Sequence, residues 1–398
     1  MKRYIAMKKK SLWLLPFLLL ISTLVGCASS DLLSDIDLGV AGDGTLNRVL
    51  EPIRDDHGLP SLAAVLIRSG EIVETGAVGV RAAGSSVLVT TGDRWHLGSI
   101  TKAMTATLAA TLVEQGVIEW STTVEEVFPD LVGNIRSEYV DVRLDELLYH
   151  TSGLPADVTK TPSWPTLRNS SAPLTEQRRQ WAGELLALAP ESSRGTHRYS
   201  NGGYVVAGAM LEAVTGERWE DLMQRNVFTP LGMASTGFGP PGTVGAAPDE
   251  PRGHVRENSK WVALQPNRAA DNPAAIGPAG TVHSTVADFA RYMAAHLAGA
   301  RGEGGIVSAE AFRVLHTPAP GADYALGWAI DERSWAGGRV LQHSGSNTVW
   351  YARVWIAPER DFAMLAVTNA GGDDAEEGTD DAIRALIERF DAAFGGGG

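Results

Sequence analysis

Apolar and polar positions pass through three regimes along this chain. The first is strand-like. From Ser61, "SLAAVLIRSGEIVETGAVGVRAA" holds two runs separated by Ser69-Gly70, which predicts a β-hairpin, and a short helix over 46–57 precedes it. Next, "GSITKAMTATLAATLVEQG" (98–116) predicts a helix that is apolar on nearly every face and ends at Gly116, as a C-terminal glycine should. From about Trp120 to Leu297 the period is helical, with candidates at 142–149, 174–189, 204–214, 219–227 and 285–298 between Pro/Gly-rich loops. Strand character then returns in a meander over 339–343, 350–356 and 362–369, with turns at "SGSN" and "APERD". An amphipathic helix over 380–394 and a glycine tail at 395–398 close the chain.

Strands at both ends with helices between them imply an α+β fold. A mostly antiparallel sheet is built from about 46–119 and 298–394, and an all-helical part of about 120–297 is inserted into it. A cleft is expected where the two meet. The single folded domain spans 46–394.

The first 26 residues stand apart. Five cations precede a 14-residue apolar run, Ser11 to Leu24, which is short of the ~20 residues a membrane-spanning helix needs. The run closes on Leu24-Val25-Gly26-Cys27, and Cys27 is the sole cysteine. This resembles the lipobox of bacterial lipoproteins, which implies a signal peptide over 1–26, lipidation of Cys27 and a tether over 27–45. Ala28 after the cysteine implies the outer membrane in a cell that has two. Without 1–26 the formal charge falls from −13 to −18, which argues against a nucleic-acid partner.

The helix at 98–116 carries the first chemical signal. Ser99 stands at its expected N-cap, a placement worth ~1 kcal/mol. Lys102 stands where a capping box has Glu or Gln, and a cation in the first turn opposes the helix dipole. Burial of its charge costs far more, and relief comes by pairing or by loss of the proton. A neutral Lys102 one turn from the Ser99 hydroxyl is a base beside a nucleophile. The chain beyond residue 26 uses 26 Arg and only three Lys (Lys102, Lys160 and Lys260), so a side chain able to shed its proton is retained at 102.

Further stretches join this S-x-x-K pair. "LLYHTSGLP" (147–155), Tyr199-Ser200-Asn201 in "RYSNGGY", and His343-Ser344-Gly345 in "VLQHSGSN" resemble motifs of the serine hydrolases related to class-C β-lactamases and DD-carboxypeptidases. "FTPLGMASTGF" and "PAGTVHSTVADFARYM" extend the resemblance over about 59–369. It implies the β-lactamase/transpeptidase-like fold and acyl transfer without a cofactor. By that resemblance Ser99 is the nucleophile, Lys102 or Tyr199 the principal base, and Tyr199 the donor to the leaving group. Asn201 and His343 position substrate and protons, and the amides of Ser99 and Ser346 form the oxyanion hole. Gly345 lets a substrate backbone approach the strand edge.

His343 replaces the Lys usual in class-C β-lactamases, which points to a D-amino-acid amide, peptide or small ester as substrate. A class-C-like β-lactamase and a non-catalytic penicillin- or peptidoglycan-peptide-binding lipoprotein are the alternatives. No G-x-S-x-G, H-E-x-x-H, Walker loop or cysteine pair occurs, so α/β-hydrolase, metal and nucleotide chemistry have no support. The expected partners are a peptide or small-molecule substrate and, through the lipid, the membrane; no protein partner is evident.

Overall fold

The computed structural model describes residues 30–245 and 247–395. The leader, Cys27 and the last three glycines of the tail lie outside the described residues. Six strands form the main sheet: β1 (Ser61–Arg68), β2 (Glu71–Gly79), β3 (Ala329–Arg333), β4 (Gly338–Ser346), β5 (Tyr351–Ala357) and β6 (Phe362–Thr368). Their order is β2-β1-β6-β5-β4-β3, and every pairing is antiparallel. The two ends of the chain meet at the centre, with Val65 opposite Leu365.

Side-chain alternation explains why β1 and β6 read as unbroken apolar runs. On one face Leu62, Ala64 and Leu66 join Phe362, Met364 and Ala366 beneath two terminal helices, α1 (Leu46–Asp56) and the last helix, Asp373–Phe394. On the other, Ala63, Val65 and Ile67 join Ala363, Leu365 and Val367 in the larger core, with Phe289 and Met293. Strands covered on both faces need apolar residues at every position. The hairpin turn falls at Ser69-Gly70 as the sequence implies, both residues having positive φ (51° and 82°). Strand β3 has no counterpart in the sequence reading, because "AIDER" is a polar edge strand without an alternating apolar signal.

The apolar helix is α2 (Thr101–Glu114), and every residue from Thr101 to Leu112 is buried. Its threonines survive burial because each hydroxyl is bonded: Thr105 donates to Pro278 O at 2.7 Å, Thr107 to Ala103 O at 3.0 Å and Thr111 to Leu108 O at 2.7 Å. The helix does not begin at an N-cap Ser99. A 3₁₀ turn, Gly98–Ile100, is interposed, and no side chain caps it or the helix. A short strand, Arg94–His96, leads into this turn and pairs with Val282–Thr285, so the part expected to be all-helical carries strands of its own, here and in the hairpin His254–Glu257 with Lys260–Ala263, whose short polar runs give no strand signal in the sequence. The other long helices are α3 (Leu174–Ala187), α4 (Asn201–Thr215), α5 (Val286–Ala300) and α6 (Asp373–Phe394).

The 3₁₀ turn crosses the end of β4 backbone to backbone. Gly98 has φ +50°, and a Cβ there would stand 2.4 Å from Ser346 N. A Cβ on Gly345 would stand 2.0 Å from Leu97 O and 2.9 Å from Ser99 N. The sequence reading reserves Gly345 for the approach of a substrate backbone. The backbone that approaches it is the protein's own.

The expected tether is docked from Leu32 onward. Leu33 and Ala41 are buried, and Leu32, Ile36 and Leu38 pack on the cluster under α1 and α6. Arg389 of α6, fully buried, reaches Glu74 (3.0 and 2.6 Å), Asp43 (2.8 Å), Val40 O (2.9 Å) and Leu38 O. Removing one partner of a buried ion pair leaves the other charge stranded, at a cost of ~3–5 kcal/mol. Arg389→Met is therefore expected to lower unfolding stability by about that much. Urea denaturation checks this, and a loss below ~1 kcal/mol would place the clamp among weak surface pairs.

Candidate functional site

Lys102 lies at the junction of α2, α4 and the short helix Gly277–Gly280. Its Nζ stands 2.7 Å from Asn201 Oδ1, 2.7 Å from Ala279 O and 3.0 Å from Ser99 Oγ. It is fully buried, no ion pair offsets that burial among the described residues, and desolvation holds its pKa well below the ordinary lysine range. The three contacts suit a neutral amine. A neutral amine meets them by giving its two N–H bonds to the two carbonyl oxygens, which can only accept, and its lone pair to the Ser99 hydroxyl. Ser99 itself is half-buried.

The segment bearing Tyr199 and Asn201 is fixed from outside. Asn201 opens α4, and Tyr199 lies two residues earlier with its ring centroid 4.8 Å from Lys102 Nζ. The loop after Leu148 holds this segment at three points. His150 O accepts from Arg198 N at 2.8 Å, His150 Nδ1 from Ser200 N at 3.1 Å, and Pro155 O from Ser200 Oγ at 2.7 Å. These bonds give the "LLYHTSGLP" stretch its physical purpose. His150 has φ +61°, which is uncommon outside glycine, and its ring centroid is 4.3 Å from that of Tyr199. The Tyr199 hydroxyl is buried without a well-formed hydrogen bond, beside the Ser99 side chain. Burial raises its pKa, which the neighbouring Ser99 only partly offsets, so the phenol keeps its proton.

His343 is buried at the end of β4. Its Nδ1 donates to Ser344 O at 2.6 Å, so its Nε2 accepts from Tyr324 Oη at 3.0 Å. Burial, and then the nearby Lys102, lower its pKa to about 3. Both ring nitrogens are thus taken up by the protein, and the group that His343 holds is the Tyr324 hydroxyl. Gly345 and Ser346 follow on the strand, and the Ser346 hydroxyl donates to Trp350 O at 2.7 Å. The Ser99 amide belongs to the first turn of a helix, where backbone N–H groups have no intrahelical acceptor.

The fold thus gathers Ser99, Lys102, Tyr199, Asn201, His343, Gly345 and Ser346 around one junction. Sequence reasoning missed Ala279 O, which completes the lysine's shell, and His150 and Tyr324, which orient other members. A main-chain carbonyl has no sequence signal. His150 was legible as part of a quoted motif but not as a ligand of Ser200. Two surface cavities, of about 240 and 670 Å³, are lined by other residues.

Comparison with known proteins follows the same outline. The family model described as Beta-lactamase matches residues 46–389. Penicillin-binding protein 4 of Amycolatopsis lactamdurans is 26% identical over 344 residues, covering 81% of this chain and 84% of that protein. The unguisins hydrolase of Aspergillus violaceofuscus is 28% identical over 258 residues, which span 63% of this chain and 44% of that protein. Among solved structures, the D-amino acid amidase of Ochrobactrum anthropi SV3 has the same fold, with a TM-score of 0.69 at 21% identity over 87% of this chain and 99% of that one. An antiparallel sheet closed by both chain ends, a helical insert and a lysine–serine pair at their junction are accounted for together: the chain belongs to the β-lactamase family of serine hydrolases.

Proposed function

We propose that this serine hydrolase cleaves a D-amino-acid amide or small ester through an acyl-enzyme on Ser99, and that it works at the cell envelope on a lipid carried by Cys27. The contact between the Ser99 hydroxyl and an unpaired, desolvated Lys102 carries the reading. In acylation Ser99 Oγ bonds to the substrate carbonyl carbon while its proton passes to Lys102 Nζ. The amides of Ser99 and Ser346 receive the oxyanion, each donor contributing ~2.7–4 kcal/mol to the transition state. Burial separates the two candidate bases: it favours the neutral amine of Lys102, which can accept a proton, and the protonated phenol of Tyr199, which can give one. Tyr199 therefore protonates the leaving group, recovers its proton through Lys102, and then helps to activate the deacylating water. Asn201 holds Lys102 in place through its side-chain oxygen.

The neutral His343 supports the substrate class. A lysine at that position would offer a cation to a substrate carboxylate. A buried, uncharged imidazole already bonded to Tyr324 offers none, which favours uncharged amides and esters over efficient turnover of β-lactams.

Treatment with a fluorophosphonate should label one residue, Ser99. Peptide mapping by mass spectrometry checks this, and an adduct on Ser152, Ser200 or Ser344 would overturn the assignment. Lys102→Arg puts a permanent cation where the neutral amine stood and, once circular dichroism shows that it folds, should lose ~10²–10⁴-fold in single-turnover acylation by an activated ester, the usual weight of general-base catalysis. Arginine cannot serve as the base because its pKa lies above ~12. An acylation rate within about threefold of wild type, far short of that loss, would return Lys102 to an electrostatic role. Cys27→Ser should abolish processing and release the protein from the membrane fraction, and unchanged fractionation would exclude the lipid.

A further inference from the structure

One buried carboxylate outside this machinery touches both sides of the backbone crossing. Asp271 follows the short 3₁₀ turn Arg268–Ala270 and is 6% exposed. Its Oδ2 is 2.9 Å from His96 Nε2. Its Oδ1 accepts from Asn347 Nδ2 at 2.9 Å and from Asn272 N at 2.7 Å. The arrangement continues outward on each side. His96 Nδ1 accepts from Gly98 N at 3.1 Å, one residue before Ser99, and Asn347 directly follows Ser346. The Asn347 side chain also donates to Ala270 O at 3.3 Å and accepts from Val349 N at 3.3 Å, within a turn where Thr348 has φ +80°. Arg168 in turn caps Asp271 O. His96, Asp271 and Asn347 are all more than nine-tenths buried.

We propose that Asp271 is the positioning residue of the oxyanion hole: through His96 it holds the turn that presents the Ser99 amide, and through Asn347 the turn that presents the Ser346 amide. The proposal rests on the acyl-transfer reading above. Proton placement shows why a carboxylate is needed. The Gly98 N–H points at His96 Nδ1, so the imidazole proton sits on Nε2 and faces Asp271. The opposite oxygen meets two more donors. Only a group that accepts on both sides satisfies this set, and an amide does not. In Asp271→Asn the new NH₂ faces either His96 or the pair Asn347 Nδ2 and Asn272 N. In the first case His96 must move its proton to Nδ1, where it confronts the Gly98 N–H. In the second case donors meet donors directly. One arm of the hole loosens either way, with almost no change in side-chain volume. Tautomer disruption by an Asp-to-Asn change is known to cripple catalysis while leaving geometry intact.

The test uses the full chain and an activated ester. Wild type is expected to acylate on Ser99. Asp271→Asn is expected to lower kcat about 10- to 100-fold, part of the ~10²–10³ lost when one oxyanion donor is removed outright. KM should stay within about threefold, because the amides act on the transition state and not on the bound substrate. Affinity for a boronate or phosphonate transition-state analogue should fall by the same factor as kcat. The ¹⁵N shifts of the His96 ring should report a change of tautomer or of its hydrogen bond. Asn347→Ala acts through the other arm, is expected to give the same kcat-selective loss, and decides the matter if Asp271→Asn does not fold. A folded Asp271→Asn, or Asn347→Ala in its place, with acylation and analogue affinity within about twofold of wild type overturns the proposal. So does a variant whose loss lies in KM alone. A wild-type protein that never acylates on Ser99 instead overturns the functional reading on which the proposal rests.

Discussion

The site depends on an amine kept out of water with no countercharge. A lysine buried beside a carboxylate would stay protonated and could only attract. Lys102 has two carbonyl oxygens and a hydroxyl around it, and its ordinary basicity is lowered by desolvation alone. The surroundings match this requirement. His150 and His343 are held neutral by burial, and neighbouring tyrosines keep their protons. The chain carries 47 acidic residues, yet among the described residues none pairs with Lys102. Asp271 lies close behind the turn, but its two oxygens are directed at His96, Asn347 and a backbone amide.

Neutral groups can crowd in this way because the backbone around them is given partners, although the Tyr199 hydroxyl is left without a well-formed hydrogen bond. The "HTSGLP" loop does this for the Tyr199 segment, and the Gly277–Gly280 turn does it for α2 through Pro278 O and Ala279 O. Backbone groups from distant parts of the chain thus serve as fixed dipoles, a role that water would otherwise take. Such dipoles need no reorganisation when charge appears in a transition state.

Much of this was legible in the sequence where the signal is local. Strand-like runs marked β1, β2, β4, β5 and β6, a short helical stretch marked α1, and a lysine inside an apolar helix marked the Ser99–Lys102 pair. Local signals also misled. The closing helix reads as starting at 380, yet "DDAEEGT" before it forms the first turns of α6, where acidic side chains suit the positive pole of the helix. The stretch before Leu46 reads as a polar tether because its apolar residues are scattered. They fall on one side only when Arg389 folds the segment back. Asp271, Tyr324 and Ala279 act through contacts far apart in sequence, and no periodicity records those.

The crossing of Gly98 over Gly345 also sets a clock. A ribosome releases the Ser99 turn long before it has made the strand that completes it. At ~5–20 residues per second that interval lasts roughly tens of seconds. Throughout it, the turn lacks the strand end that it crosses in the finished fold. The crossing can therefore form only once β4 has been made. A junction drawn from both ends of the chain is complete only when the whole fold is, so its geometry cannot precede folding.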